Sequence, residues 1–575
     1  MMRAMAIPVS RHTVGGFIFA LAFAAACGAD SSTRAADPSA LAIAGGGAQT
    51  GEVGTALATP VQVRVADAGG SPIGGVTVAW TPSAGAVTVS TSTTNASGIA
   101  QTYWTLGTVA GAQQLTASVS NGTGLAPLVI AATATPGPST GITIAPQALV
   151  VRQLDSIAFT VTVKPDRYGN AVSSTPTIGV GDSLAAIVRA GRIVAGRAGR
   201  TTITVTGGGA TASANVSVTP IWRAIGAGQD HSCALDTLGY AFCWGNNNNS
   251  ALGVTGIGYD SIPVPVSGGL RFASLTVGGA HACGLTANGA AYCWGNNNSR
   301  ELGIGTASLV PLAAPTPVAG GHTFIALEAG GPFTCGIAVG GAAWCWGWEG
   351  EGELGNGASQ TFNGQPSPVL VNGGLTFASI VAGGSHTCAM TSTNDSYCWG
   401  NDYEGQVGDA GASGYRTSPA AVTGPTKFTQ VFAGDAHSCG LDAAGGTWCW
   451  GSSYSGQAGD PGFAARNTPT QLTMPAPFVA LGLGGQHSCG LTATGDAYCW
   501  GLNASGQLGD ATSLTKVSPV RVVTTEHFVS IAAGFQHSCA LTADGRAFCW
   551  GDNHIGQLGN AAFGKSMTPV AVLAP

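Results

Sequence analysis

Charge is scarce in this chain. Asp, Glu, Lys and Arg make up 8% of 575 residues, against about a quarter in ordinary soluble proteins. Lysine occurs only as Lys164, Lys427, Lys516 and Lys565. A net charge of -6, spread without a basic stripe or tail, excludes the footprint by which proteins hold phosphate backbones, so nucleic acid is not an expected partner. Long hydrophobic runs are missing as well. The run Val14–Ala26 falls short of the roughly 20 residues of a membrane-spanning helix. Catalytic signatures are absent: no G-x-S-x-G, H-E-x-x-H, P-loop or dinucleotide fingerprint occurs. The 27 carboxylates form no paired constellation. Distant loops can still assemble a site, but the expectation is a non-enzyme with no cofactor and no metal.

Glycine (90 residues), apolar residues (45%) and 15 cysteines are what the chain does have. The apolar share is enough to build cores and argues against disorder. The length calls for several domains. At the N-terminus, Arg3, Arg11 and His12 precede the apolar run, which ends AFAAACGADSS. This pattern resembles a bacterial lipoprotein signal over residues 1–27, with Cys27 as the lipidated residue. Ordinary cleavage near Ala26 or Ala29 is the other reading. Residues 28–40 read as a polar linker.

The other 14 cysteines fall in seven copies of one pattern, seen in HSCALTADGRAFCWGDNHIGQLG at 537–559. Cys233, Cys283, Cys335, Cys388, Cys439, Cys489 and Cys539 recur every 50 to 53 residues, each followed ten later by Cys243, Cys293, Cys345, Cys398, Cys449, Cys499 and Cys549. Repeats of this period with short alternating strands predict propeller blades. In the last copy, HFVSIAAG, HSCALT, RAFCWG and TPVAVL are the four expected strands. Six copies have Gly six residues past the first cysteine and the seventh has Asn394, as a three-residue hairpin loop with a left-handed last position requires.

That loop sets Thr542 opposite Arg546, and hence Cys539 opposite Cys549. The register passes an internal test. The residue after the first cysteine is always Ala or Gly, and its computed partner is always aromatic (Ala540 with Phe548). The residue before it is Ser, Thr or Ala, and its partner is always Trp. Large is set against small throughout, as close packing demands. Aromatic and small residues thus share one face; cysteines, leucines and histidines share the other, which is expected to pack on the next blade. The spacing fits neither a zinc site nor a C-x-x-C redox site. Opposed cysteines in an exported chain predict seven intrarepeat disulfides. His231, His281, His386, His437, His487 and His537 occupy one equivalent position, with Phe333 in the third copy. One imidazole per copy is too dispersed for a metal and reads as packing between blades. The Asn-rich loops at 245–253 and 295–303 read as turns with exposed amides.

The pattern GxxHSCxLxxxGxxxCWGxNxxGQLG, closest at 534–559 and 484–509, resembles the regulator-of-chromosome-condensation repeat family over 221–575. The resemblance implies a seven-bladed propeller. The eukaryotic namesake is a nucleotide exchange factor for a nuclear GTPase and contacts chromatin, using an inserted wedge in one blade and basic segments; the even spacing here leaves no room for such a wedge, so exchange activity is not the expectation. The family also includes a secreted bacterial propeller that inhibits a β-lactamase.

Upstream, VQVRV, VTVAW and LTASV are short alternating strands between turn residues, as in a β-sandwich. VQVRVADAGGSPIGGVTVAW and TNASGIAQTYWTLGTVAG resemble bacterial immunoglobulin-like group 1 domains over 41–136. After the break TPGPST, SLAAIVRAGRIVAGRAGRTTITVT and ANVSVTP resemble group 2 domains over 141–219. Trp80, Tyr103 and Trp104 read as core or near-core aromatics, and Asp67, Asp155, Asp166 and Asp182 as turn residues.

The expected fold class is therefore all-β: a seven-bladed propeller head preceded by two immunoglobulin-like sandwiches as a stalk. The expected function is a binding or adhesion module for an extracellular protein or glycan. The chain would be exported to the cell envelope or secreted, touching a membrane only through a lipid on Cys27. The alternatives are an inhibitor of an extracellular enzyme and, less favoured, exchange activity or a propeller hydrolase or lyase. Trp348, Glu349, Glu351 and Glu353 depart from the repeat and form the candidate recognition patch; the competing reading is a solvated loop.

Overall fold

The computed structural model describes residues 37–120, 124–256, 258–359, 361–411 and 414–575. The expectations for the signal segment and Cys27 lie outside the described residues. No helix among the described residues is long and apolar enough to cross a membrane. The structure is all-β, with a single three-residue 3-10 turn, Ser267–Gly269, among the described residues. The chain divides into two compact units. One runs to Thr140 and takes in Pro165–Val172; the other comprises Gly141–Lys164 and Ser173–Pro575.

In the first unit Ala40–Gly45, Val61–Ala66 and Ile99–Thr102 form one sheet. Gln49–Glu52, Leu128–Thr135, Gly111–Val119, Thr77–Pro82 and Thr91–Thr93 form another. Alternation in VQVRVA places Val61, Val63 and Val65 in a shared core with Trp80, Trp104 and Leu115. Both indoles are satisfied, Trp80 Nε1 by Ser92 Oγ at 2.8 Å and Trp104 Nε1 by the Ala84 carbonyl at 3.1 Å. Tyr103, expected near the core, is 47% exposed, because it sits one residue out of phase with Trp104. The loop Pro165–Val172 belongs to this unit rather than to the segment around it. Its Asp166 accepts from the Gly137 N–H at 3.0 Å, and its Asn170 Oδ1 accepts from the Ala110 N–H at 2.8 Å.

In the second unit, Ala148–Arg152, Ala210–Thr219, Gly199–Gly207 and Thr177–Val180 form a sheet beside a three-stranded one, with Leu149, Ile193, Ile203 and Val216 in one core. This part is continuous with the first repeat. Gln153, 1% exposed, donates to Asp236 at 2.7 Å and accepts from the Ile221 N–H and the Thr237 hydroxyl. Ala198 shares a core with Trp222 and Tyr240. The expected boundary near residue 220 is thus a packed joint, not a free linker.

Seven four-stranded antiparallel sheets follow, each in sequential order. The last comprises Phe528–Ala533, His537–Thr542, Ala547–Gly551 and Ser566–Ala571. The register is the one read from the sequence: Cys539 faces Cys549, Ala540 faces Phe548, Ser538 faces Trp550 and His537 faces Gly551. All seven cysteine pairs are opposed and bonded, with Cα atoms 4.0–4.1 Å apart. Gly545 has φ +80° and Asn394 +62°, the left-handed loop position that spares a Cβ penalty in glycine and is tolerated by Asn. The two faces divide as expected. Cys489, Leu491 and Cys499 of repeat 6 pack on Phe528, Ala540 and Trp550 of repeat 7. Cys539, Leu541 and Cys549 of repeat 7 pack on Trp222, Ala234 and Trp244 of repeat 1, so the last repeat meets the first.

Candidate functional site

The first strands of the seven repeats end around a cavity of about 210 Å³ walled largely by glycine and alanine backbone. Neighbouring repeats are tied here by main-chain hydrogen bonds. Gly279 donates to Gly330 at 2.9 Å, Gly331 to Gly383 at 3.0 Å, Gly485 to Gly534 at 3.1 Å and Phe535 to Gly228 at 3.1 Å. Glycine is a steric requirement: a Cβ on Gly484 would lie 2.3 Å from the Gly534 oxygen. Gln229, Val277, Asp435, Leu483 and Phe535 supply the side chains larger than alanine in this wall, and burial raises the Asp435 carboxyl. Among the described residues no three His, Cys, Asp or Glu are grouped to hold a metal ion. A larger groove, about 720 Å³, lies along Ala148–Arg152 and Ala210–Thr219, and its one carboxylate, Asp182, is paired with Arg197 at 2.9 Å.

Behind the cavity, five of the seven junctions between repeats carry the same four-part cluster. At the junction of repeats 6 and 7, His487 Nε2 lies 2.8 Å from Ser538 Oγ, and that hydroxyl donates to the Gln507 carbonyl at 3.0 Å. Trp550 Nε1 donates to the same carbonyl at 2.9 Å. The hydroxyl has one proton and gives it to the carbonyl, so the imidazole donates through Nε2. Burial disfavours the charged ring, holding His231 and His386 at about 4 and His281, His437, His487 and His537 at about 3. The cluster recurs as His281–Thr334–Glu301, His386–Ser438–Gln406, His437–Ser488–Gln457 and, closing from repeat 7 to repeat 1, His537–Ser232–Gln557. Phe333 replaces the histidine between repeats 3 and 4, where Thr387 and Trp399 still donate to the Glu353 carbonyl.

The junction of repeats 1 and 2 breaks this pattern. Ala282 stands where the hydroxyl should be and Ala251 where Gln or Glu should be. His231 Nε2 and Trp294 Nε1 are buried without a partner. The main-chain tie is displaced too, with Gln229 donating to Gly279, one residue beyond the equivalent Gly278. A cavity of about 190 Å³ opens at this place.

Comparison with known proteins fits the geometry. The family described as regulator of chromosome condensation (RCC1) repeat matches residues 222–250, 272–300, 377–406, 428–457, 478–507 and 528–557. A second description of the same repeat matches 340–390, 395–441 and 494–541. The chain carries RCC1 repeats. A bacterial Ig-like domain (group 1) matches residues 54–133. The ultraviolet-B receptor UVR8 of Arabidopsis thaliana is 29% identical over 245 residues, 41% of this chain and 54% of that protein. Human regulator of chromosome condensation is 31% identical over 105 residues, 18% and 25% of the two chains. This chain thus spans about half or less of the curated relatives it matches. Among solved structures, human WBSCR16 superposes with TM-score 0.54 at 20% identity, covering 58% of this chain and 95% of that one. Yeast Prp20p, described with its binding to Gsp1p and histones, gives 0.52 at 20%, covering 62% and 87%. These likenesses establish an RCC1-like propeller fold.

The acidic patch expected in the third RCC1 repeat is not an exposed patch, nor is it a solvated loop. Glu349 is 0% and Glu353 1% exposed, and Trp348 is half-buried. Glu353 takes the place that glutamine holds in RCC1 repeats 4 to 7. Its carboxylate folds back to accept the Glu351 N–H at 2.8 Å, and burial, helped by the nearby Glu351 and Glu349, pushes its carboxyl up to about 7. Glu349 accepts from Gln365 at 2.8 Å, and Glu351 from Asn401 at 2.5 Å. The Asn-rich loops also differ from expectation. Asn247, Asn297, Asn503 and Asn553 are buried, each accepting from the N–H of Leu252, Leu302, Leu508 and Leu558 at 2.9–3.2 Å. The junction missed from the sequence was signalled there by two alanines, in HAC and SALG, where the other repeats have Ser or Thr before the first cysteine and Gln or Glu in the later loop.

Proposed function

We propose that this chain is an exported, non-catalytic binding protein whose seven repeats are the blades of one closed propeller. The observation that carries the closure is the meeting of repeat 7 with repeat 1 through the Phe535–Gly228 tie and the His537–Ser232–Gln557 cluster. Fourteen cysteines in opposed, bonded pairs support an oxidising compartment. With the group 1 domain upstream, residues 141–219 are a second immunoglobulin-like sandwich of the group 2 type. A lipid on Cys27 anchors the chain to the envelope, and the bound partner is an extracellular protein or glycan. Binding is favoured over catalysis because the central cavity offers backbone and isolated side chains rather than an acid–base pair. The test is saturable binding of identified extracellular proteins or glycans by the full chain. Retention of one partner with a measurable Kd is expected; no retained partner, with unchanged attachment of a deletion strain, would contradict the reading.

A further inference from the structure

The cavity between repeats 1 and 2 lies where the other repeats place a side chain of their own. In repeats 2 to 7 the residue equivalent to Ala251 is Gln or Glu, and its oxygen folds back onto the backbone N–H two residues earlier. The distances are 3.1 Å for Gln557 to Ile555, 2.9 Å for Gln507 to Ser505, 2.9 Å for Gln457 to Ser455 and 3.0 Å for Gln406 to Glu404. In repeats 4, 5 and 7 the amide nitrogen also reaches a polar side chain at the start of the loop, Asn401 Oδ1 at 2.8 Å, Ser452 Oγ at 3.3 Å and Asp552 at 2.9 Å, whereas Gln507 Nε2 has no partner. In repeat 1 the equivalents of those two partners, Asn249 and Asn246, line the cavity together with Asp230, His231 and Gly279, and Ala251 supplies no side chain to fill it. About 190 Å³ is several times the roughly 30 Å³ that one water occupies in the liquid. The second observation is independent of the loop: His231 is 1% exposed and its Nε2 has no partner, although it borders the cavity.

We propose that this junction is a preformed pocket for a primary carboxamide, the group of a glutamine side chain, supplied by another molecule. The chemistry selects the carboxamide. Asn249, whose equivalents give the oxygen a backbone N–H, and Asn246, whose equivalents Asp552 and Asn401 accept from the NH2, both line the pocket, with Asp230 beside them. A carboxylate could only accept, and would add a second negative charge beside Asp230. The pocket is also bordered by Gln229 and Gly279, which belong to the central cavity wall as well, so a ligand here reaches the channel rim. The inference deepens the binding reading and rests on it for the source of the carboxamide.

The full chain, isotope-labelled at tryptophan, tests it by titration while the indole N–H signal of Trp294 is followed, assigned with Trp294→Phe. Gly-Gln-Gly peptide is the main probe, free L-glutamine the second, and a norleucine tripeptide the control. A saturable shift with the glutamine peptide, absent with norleucine and at least about tenfold weaker in Ala251→Gln, supports the pocket. Equal binding of free glutamine identifies a small-molecule source, and binding of the peptide alone a polypeptide source. Ala251→Gln restores the side chain of the sister repeats, and its thermal melt checks that it folds. No saturable shift, or a shift unchanged by Ala251→Gln, overturns the proposal. Either result leaves the general binding reading to its own retention assay, so the two failures are distinguishable.

Discussion

The junction between repeats 7 and 1 and the junction between repeats 1 and 2 use equivalent strands, equivalent cysteine faces and equivalent tryptophans, Trp244 and Trp294. In the first, Ser232 joins His537 to the Gln557 carbonyl, and Trp244 donates to that carbonyl at 2.9 Å. In the second, two alanines remove the hydroxyl and the glutamine, and His231 Nε2 and Trp294 Nε1 are left buried without partners; the other histidine-bearing junctions keep the indole partnered and leave only the Nδ1 of the imidazole without one. A buried polar group without a partner costs about 1–3 kcal/mol, so the irregular junction gives up stability that the other junctions keep. Five junctions keep the full cluster and a sixth lacks only the histidine, which lets one depart from the pattern.

What the junctions share is tested by the largest perturbation. Each disulfide closes an 11-residue loop, worth roughly 2.8 kcal/mol in the loop-entropy treatment, an upper figure for a hairpin partly formed when unfolded. Reduction is expected to lower the melting temperature of the repeat-containing unit sharply. The transition of the first unit, with no cysteine in residues 37–140, stays in place; differential scanning calorimetry with and without reductant reads both.

The next effect breaks a regular junction. Ser488→Ala removes the hydroxyl between His437 and the Gln457 carbonyl and recreates half of the irregular joint. Urea denaturation should show a loss of about 2 kcal/mol.

A third test uses pH. Glu353 has its folded carboxyl raised by burial to about 7 from 4.5. Its stabilising contribution is therefore complete below about pH 4.5 and is lost as pH rises through about 7, at up to about 1.4 kcal/mol per pH unit. Glu353→Gln, the residue of repeats 4 to 7, should match the wild type in pH dependence below pH 4.5 and exceed it in stability by about 1–3 kcal/mol at pH 8, as seen in melts across that range.

The smallest effect repairs the irregular joint. Ala282→Ser returns a hydroxyl beside His231 and should raise stability by about 1 kcal/mol, read by the same urea titration.

Much of this architecture was legible because the chain is its own alignment. Seven copies exposed the opposed cysteines, the large–small pairing of Ala540 with Phe548, and the packing role of His537. Other features were hidden for physical reasons. Pro165–Val172 joins the first unit through hydrogen bonds of Asp166 and Asn170 that no pattern announces, and Gln153 is one polar turn residue after a strand until Asp236 meets it. Glu349 and Glu353 read as a solvated cluster because acidic residues usually are; the fold-back that buries them depends on the turn, not on composition. The carboxamide pocket was hardest to see, because its signal is two small residues where chemistry is usually sought in large ones.

The account is tested most directly by comparing partner retention by the wild-type full chain with that by the double variant Ala251→Gln, Ala282→Ser. It predicts a variant that melts at a higher temperature and loses the partner. A variant that is equally or less stable, or that retains the partner with unchanged Kd, would contradict it.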